Sequence, residues 1–229
     1  MLTCKGINTF YGPAHVLFDV DVEVGEGQMV CLIGRNGVGK STTLKSIMGL
    51  APVSGGSIVF QGREISALPS FKVARAGIGY VPEERRIFAD LTVEENLEVA
   101  ERGGAPWTRN SVYELFPALH EFRTRRGGLL SGGQQQMLTI ARTLVGNPRL
   151  LLIDEPTEGL SPIVVRALED MIRGLKAKGQ TMLLAGQDIR FSLSVADFIY
   201  VLDRGRVVYS GDRQQAARDI ERIRGMLAV

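Results

Sequence analysis

Residues 34–41 read Gly-Arg-Asn-Gly-Val-Gly-Lys-Ser, a full match to G-x-x-x-x-G-K-[ST], and the reading of this stretch decides the fold. Just before it, Met29 to Ile33 is an uninterrupted apolar run, the pattern of a strand buried on both faces of a parallel sheet. Just after it, residues 40–50 read as a helix. Strand, glycine-bearing loop and helix, in that order, are what a phosphate-binding loop requires. Glycines let successive backbone N–H groups turn inward on one anion, and the helix adds the positive end of its dipole. Gly34, Arg35, Asn36, Gly37, Val38, Gly39, Lys40, Ser41 and Thr42 are therefore expected to hold a nucleotide, with Lys40 reaching the β and γ phosphates.

The first motif demands a second. Ser41 offers a hydroxyl to Mg²⁺, and the ion's other protein contact should be a carboxylate at the end of a neighbouring buried strand. Leu150-Leu151-Leu152-Ile153-Asp154-Glu155-Pro156 meets that demand, because ligands of open α/β sheets bind at the carboxyl ends of strands. Asp154 is placed to hold Mg²⁺, directly or through water, and Glu155 to orient and polarise an attacking water as general base. The expected cofactors are ATP and Mg²⁺, and the expected reaction is hydrolysis.

A third segment, Leu130-Ser131-Gly132-Gly133-Gln134, has Ser131 and Gln134 at capping-box spacing. Its glycines leave the donors of a helix start uncovered, and such an end binds phosphate. Together the three segments resemble the defining motifs of ABC ATPases, and the resemblance runs over essentially the whole chain. It implies an α/β fold, a P-loop NTPase of ABC type with a mostly parallel sheet core, an antiparallel β subdomain and an inserted α-helical subdomain. It also implies a head-to-tail dimer with a second ABC ATPase subunit, identical or related, in which Ser131, Gly132, Gly133 and Gln134 of one subunit cover the ATP of the other. Tyr11, ahead of Gly12, resembles the aromatic that stacks on adenine in this family, although a core aromatic accounts for the same residue type.

Three positions depart from the common family pattern. Glu83 follows Val81-Pro82 where glutamine is usual, so it can accept hydrogen bonds or touch Mg²⁺ but cannot donate to phosphate. Gln187 stands where a histidine usually meets the γ-phosphate; it can donate a hydrogen bond but cannot shuttle a proton. In the loop Glu158-Gly159-Leu160-Ser161, Ser161 stands where the family usually has aspartate, so weaker or different cross-dimer contacts are expected, and a helix N-cap explains it equally well. The first two departures resemble the importer ATPases for branched-chain amino acids, with urea and short-chain amide importers as close relatives.

Composition agrees with this reading. The chain has 229 residues, 45% hydrophobic and 23% charged, which suits one globular domain with an insertion. Net charge is +2 with the basic residues dispersed, so no nucleic-acid partner is expected. Cys4 and Cys31 lack metal-ligand spacing and read as reduced thiols. No signal peptide and no long apolar span are present, so any membrane role is exercised through a partner; the resemblance implies membrane-spanning permease subunits and a peripheral place on the cytoplasmic face of the inner or plasma membrane. A periplasmic solute-binding protein is then an indirect partner.

The layout follows. Val16, Phe18, Val20, Val22 and Val24 alternate as one strand face, residues 57–65 are β-rich, and Ile78–Val81 is a short strand ending at Pro82. Residues 83–145 read as the helical insertion, with residues 1–82 and 146–229 as the catalytic core. Inside it, Thr92 and Glu95 cap a helix over 96–102 and Asn110 begins another, with Gly103, Gly104 and Pro106 between them. Leu91, Val93 and Leu97 either line a groove for a partner's short helix or pack inside the insertion. Arg123, Arg125 and Arg126 read as a solvated basic face. Ser161-Pro162 opens a helix that ends at Gly179, and residues 181–185 and 198–202 are further strands. Competing functions are a soluble ABC ATPase of translation or DNA repair and a nucleotide-gated module with negligible turnover.

Overall fold

The computed structural model describes residues 1–103 and 106–228, so Gly104 lies outside the described residues. In chain order the strands are β1 (Leu2–Tyr11), β2 (Ala14–Val24), β3 (Met29–Ile33), β4 (Val53–Phe60), β5 (Arg63–Glu64), β6 (Ile78–Val81), β7 (Leu150–Asp154), β8 (Thr181–Gly186), β9 (Phe198–Asp203) and β10 (Arg206–Asp212). The helices are α1 (Lys40–Ile47), α2 (Ser70–Ala76), α3 (Val93–Ala100), α4 (Arg109–Leu115), α5 (Pro117–Glu121), α6 (Gly132–Leu144), α7 (Pro162–Ala177), α8 (Ile189–Val195), α9 (Arg213–Arg218) and α10 (Ile220–Ala228).

Two sheets result. One is antiparallel, in the order β2-β1-β4-β5; the other runs β10-β9-β3-β8-β7-β6, parallel throughout except for β10. Every residue of β3, β7 and β8 is buried, as a doubly covered sheet requires. Alternation sorts these strands between two cores. Met29, Cys31, Ile33, Leu151, Ile153, Met182 and Leu184 face the helical layer; Val30, Leu32, Leu150, Leu152, Leu183 and Ala185 face the antiparallel sheet and α1. Truncating any of these leucines to alanine costs about 2–5 kcal/mol, because so dense a layer does not collapse around the void.

The structure corrects the reading in several places. Along β2, Leu17 is buried while Val16 and Phe18 are only partly so, and the inward set becomes Val20, Val22 and Val24. The phase slips at Asp19, whose φ of 49° marks an irregularity in the β1–β2 pairing. Similar register shifts break β1 beyond Cys4, which hides its alternation from a period-two search. Helix α1 stops at Ile47 rather than at residue 50, because the chain leaves the helix at Gly49 with φ 65°. Helix α2 has no counterpart in the sequence reading.

Between β6 and β7 the described residues hold helices and no strand. Thr92 caps α3 with the expected box to Glu95, but the helix begins at Val93, three residues earlier than read. Helix α4 is capped by Thr108, not begun by Asn110. Val93 and Leu97 are fully buried, so of the two readings for them internal packing holds. Ser161 occupies the N-cap of α7 yet its side chain makes no capping bond, which removes that explanation for the residue. Trp107 is buried and donates from Nε1 to Gln180 Oε1 at 2.9 Å. Cys4 and Cys31 are buried free thiols, which burial pushes up to about 12. No helix among the described residues is long and apolar enough to cross a membrane.

Candidate active site

Parallel pairing of β3, β8 and β7 brings their carboxyl ends side by side, with Ile33 opposite Gly186 and Asp154 opposite Ala185. The loop after β3 starts against β8, where Gly34 N donates to Gly186 O at 3.2 Å. A Cβ on Gly34 would stand 2.5 Å from the carbonyl oxygen of Leu202, so no larger residue fits. Gly39 has φ 110°, and a Cβ there would meet Leu17 Cδ2 at 2.7 Å. As the N-cap of α1, Gly39 offers no side-chain acceptor, which leaves the first N–H groups of that helix for an anion.

Lys40 is nearly buried. Its Nζ donates to Gly34 O at 2.9 Å and Arg35 O at 2.8 Å, and pairs with Glu155 Oε1 at 2.8 Å. Ser41 Oγ donates to Asp154 Oδ1 at 2.9 Å, and Tyr80 OH donates to Asp154 Oδ2 at 3.0 Å. Glu155 begins the turn after β7 with φ 42°, a left-handed conformation that costs a non-glycine residue about 1–3 kcal/mol. The bond from Glu155 N to Ala185 O, 2.9 Å, helps hold it there.

These elements enclose a cavity of about 290 Å³ that brings together Asn36, Gly37, Gly39, Lys40, Ser41, Thr42, Glu83 and Glu155, with Glu158 added to the expected set. Its carboxyls are short of positive charge. Burial raises Glu155 above the ordinary carboxylate range despite Lys40, and raises Asp154 despite the bonds from Ser41 and Tyr80. Partial burial, then repulsion from Glu158, Asp154 and Glu84, raises Glu83. A hard divalent cation suits this set: the donors are oxygens, and Ser41 Oγ already meets Asp154 Oδ1. Mg²⁺ keeps few protein ligands and shares phosphate and water, which suits one hydroxyl and one carboxylate side by side.

Of the expected set, Gly34, Arg35, Val38 and Asp154 adjoin this cavity in sequence or by hydrogen bond without lining it, and Tyr11, Gln187 and the 131–134 helix start stand outside its walls. Tyr11 ends β1 and is 46% exposed, so it is not a core aromatic. Gln187 is exposed between β8 and α8. Ser131 caps α6: its N donates to Gln134 Oε1 at 2.9 Å and its Oγ accepts from Gln134 N at 3.4 Å. Gly133 packs so tightly on α7 that a Cβ would lie 2.6 Å from Val164 Cγ1. Gly132 packs on Arg85, whose Nη2 donates to Glu158 O at 2.8 Å. Arg85 thereby joins the start of α6 to the turn after β7.

Tyr80, Arg85 and Glu158 carry no site role in the sequence reading. Glu158 was within reach, three residues beyond Glu155 in the same loop. Tyr80 and Arg85 depend on strand pairing and on a backbone excursion, φ 45° at Arg85, that no spacing rule encodes.

With this geometry in place, the chain can be set beside known proteins. The family model described as ABC transporter matches residues 17–158. The chain is 43% identical over 212 residues to the high-affinity branched-chain amino acid transport ATP-binding protein BraG of Pseudomonas aeruginosa, covering 91% of each. It is 39% identical to the probable branched-chain amino acid transport ATP-binding protein LivF of Archaeoglobus fulgidus, covering 92% of each. It is also 34% identical to the lipopolysaccharide export system ATP-binding protein LptB of Escherichia coli K12, covering 95% of this chain and 93% of that one. Among solved structures, a dimeric post-hydrolysis state of an ATP-binding cassette bound to ADP and Pi superposes with a TM-score of 0.81 at 25% identity, covering 93% of this chain and 99% of that one.

Proposed function

The chain belongs to the ABC transporter family, and from that premise we propose that it powers the import of branched-chain amino acids. As a family member it binds nucleotide, hydrolyses ATP and works as a dimerising subunit of a transporter complex with membrane subunits. The observation that carries the solute class is the pair of relatives at 43% and 39% identity, both named for branched-chain amino acid transport. The departures at Glu83 and Gln187 point the same way. A second reading, lipopolysaccharide export, draws on the 34% identity to LptB.

In the proposed reaction, Lys40 leaves its loop carbonyls to hold the β and γ phosphates, while the N–H groups of residues 34–42 line them. Ser41 and Asp154, with Glu83 nearby, would hold Mg²⁺, which when bound neutralises charge across the phosphate oxygens. Glu155 orients the attacking water and accepts its proton. Gln187 donates a hydrogen bond toward the γ-phosphate and leaves proton transfer to Glu155. Tyr11 stacks on adenine, and the partner subunit's helix start at residues 131–134 closes over the phosphate.

The partition at residues 82 and 146, with 83–145 as the helical subdomain, is part of this proposal. So is the site of the membrane contact. In place of the buried Val93 and Leu97, the groove lined by Leu50, Tyr80, Pro82, Glu84, Arg86 and Arg142 suits a permease segment, and it opens at the hinge between core and insertion. That contact sets the chain on the cytoplasmic face of the membrane. Capture of the native complex identifies the partners, and reconstitution tests the solute: leucine with its binding protein should raise phosphate release, whereas stimulation by lipopolysaccharide alone would replace this reading.

A further inference from the structure

Asp154 is 1% exposed, and each of its two oxygens receives one side-chain hydroxyl. Ser41 supplies one; Tyr80 supplies the other from β6. Register places Tyr80 opposite Leu152, two residues before Asp154, so the phenol reaches along the sheet toward its carboxyl end. A phenol ionises only near about pH 10, so Tyr80 is a donor at physiological pH. Rotation of an aspartate carboxylate about its last bond is broad and nearly two-fold, and one hydroxyl alone leaves the plane free to tilt. A donor on each oxygen fixes it.

We propose that Tyr80 is a positioning residue: it fixes the carboxylate plane of Asp154 so that Oδ1 faces Ser41 and the Mg²⁺ of a bound nucleotide. The ring of the same side chain lines the groove assigned above to the membrane partner, so the orientation of that carboxylate depends on how β6 sits beside the groove. The inference rests on reading Asp154 as the metal-holding carboxylate.

Tyr80→Phe keeps the ring and removes the donor. The probe is a fluorescent ribose-labelled ATP, titrated onto the purified chain first in EDTA and then with increasing Mg²⁺. The Mg²⁺ concentration for half-maximal tightening should rise about tenfold, the worth of one hydrogen bond to a charged group, while affinity in EDTA stays within about twofold. A midpoint unmoved by the substitution overturns the proposal. So does an equal loss of affinity in EDTA, which would make Tyr80 a prop for the loop and nothing more. If the unsubstituted chain itself shows no Mg²⁺-dependent tightening, the assignment of Asp154 fails instead.

Discussion

Two glycine-bearing helix starts, proposed above as the anion sites of this chain, are built differently. At α1 the cap is a left-handed glycine with no side-chain acceptor, and a buried ammonium, Lys40, stands beside the open N–H groups. At α6 the cap is Ser131, whose box with Gln134 already satisfies part of the helix end, and the start is exposed. In the proposed reading the first would meet a phosphate with its own cation, Lys40, and a carboxylate, Glu155, beside it. The second, with Arg85 beside Gly132, lies outside the walls of that cavity, and in the proposed reading it acts on a phosphate that another molecule brings. A division of labour between two copies is thus written into the caps.

Four experiments break or sharpen that contrast. The largest effect is expected at the first site: Glu155→Gln should slow steady-state phosphate release by about 10²–10⁴, the usual worth of a general base, and leave nucleotide binding nearly intact. Full-rate turnover would remove Glu155 from the mechanism. Lys40→Ala should weaken nucleotide binding by about 10- to 100-fold, since it deletes one or two charge-assisted bonds to phosphate. Equilibrium binding to the isolated subunit reads this directly.

Ser131→Ala tests the second site. Nucleotide affinity of the isolated subunit should stay within about twofold, ATP-dependent association of two subunits should weaken, and α6 should lose about 1 kcal/mol from its cap. Weaker binding by the isolated subunit would contradict the contrast.

The fourth is a pH test with opposite signs. Burial raises Glu155 above its ordinary value, so in the folded chain it binds its proton at a higher pH than in the unfolded chain. Stability from this group therefore falls as pH rises through that window and recovers toward acid, while hydrolysis, which needs the charged form, is lost toward acid. As pH is lowered from neutrality toward the ordinary carboxylate range, the Tm of the natural chain should gain on that of Glu155→Gln while its turnover declines. Parallel rather than opposed trends would refute the assignment.

The same contrast explains what the sequence could reveal. Residues 34–41, 131–134 and 154–155 are local: each is a short segment whose spacing dictates its own backbone, so loop, cap and carboxylate pair were legible. Strands β3 and β7 were legible because full burial writes itself as continuous apolar runs. Strand β2 was read in the wrong phase before Asp19, since a bulge changes which residue points inward without changing composition. Tyr80 and Arg85 act across the fold and leave no periodic trace. Ser161 was the reverse case, a residue whose local explanation was available and which the structure does not use.

Because the central parallel sheet keeps one set of side chains for the antiparallel sheet with α1 and the other for the remaining helices, the protein owns two reservoirs of rigidity divided by a single wall. Helix α1, proposed above as the floor beneath the phosphates, draws on one; α3 and α6 draw on the other, and the groove proposed for the membrane partner takes Lys45 from α1 and Arg142 from α6. A partner seated in that groove would therefore press on both sides of the wall at once.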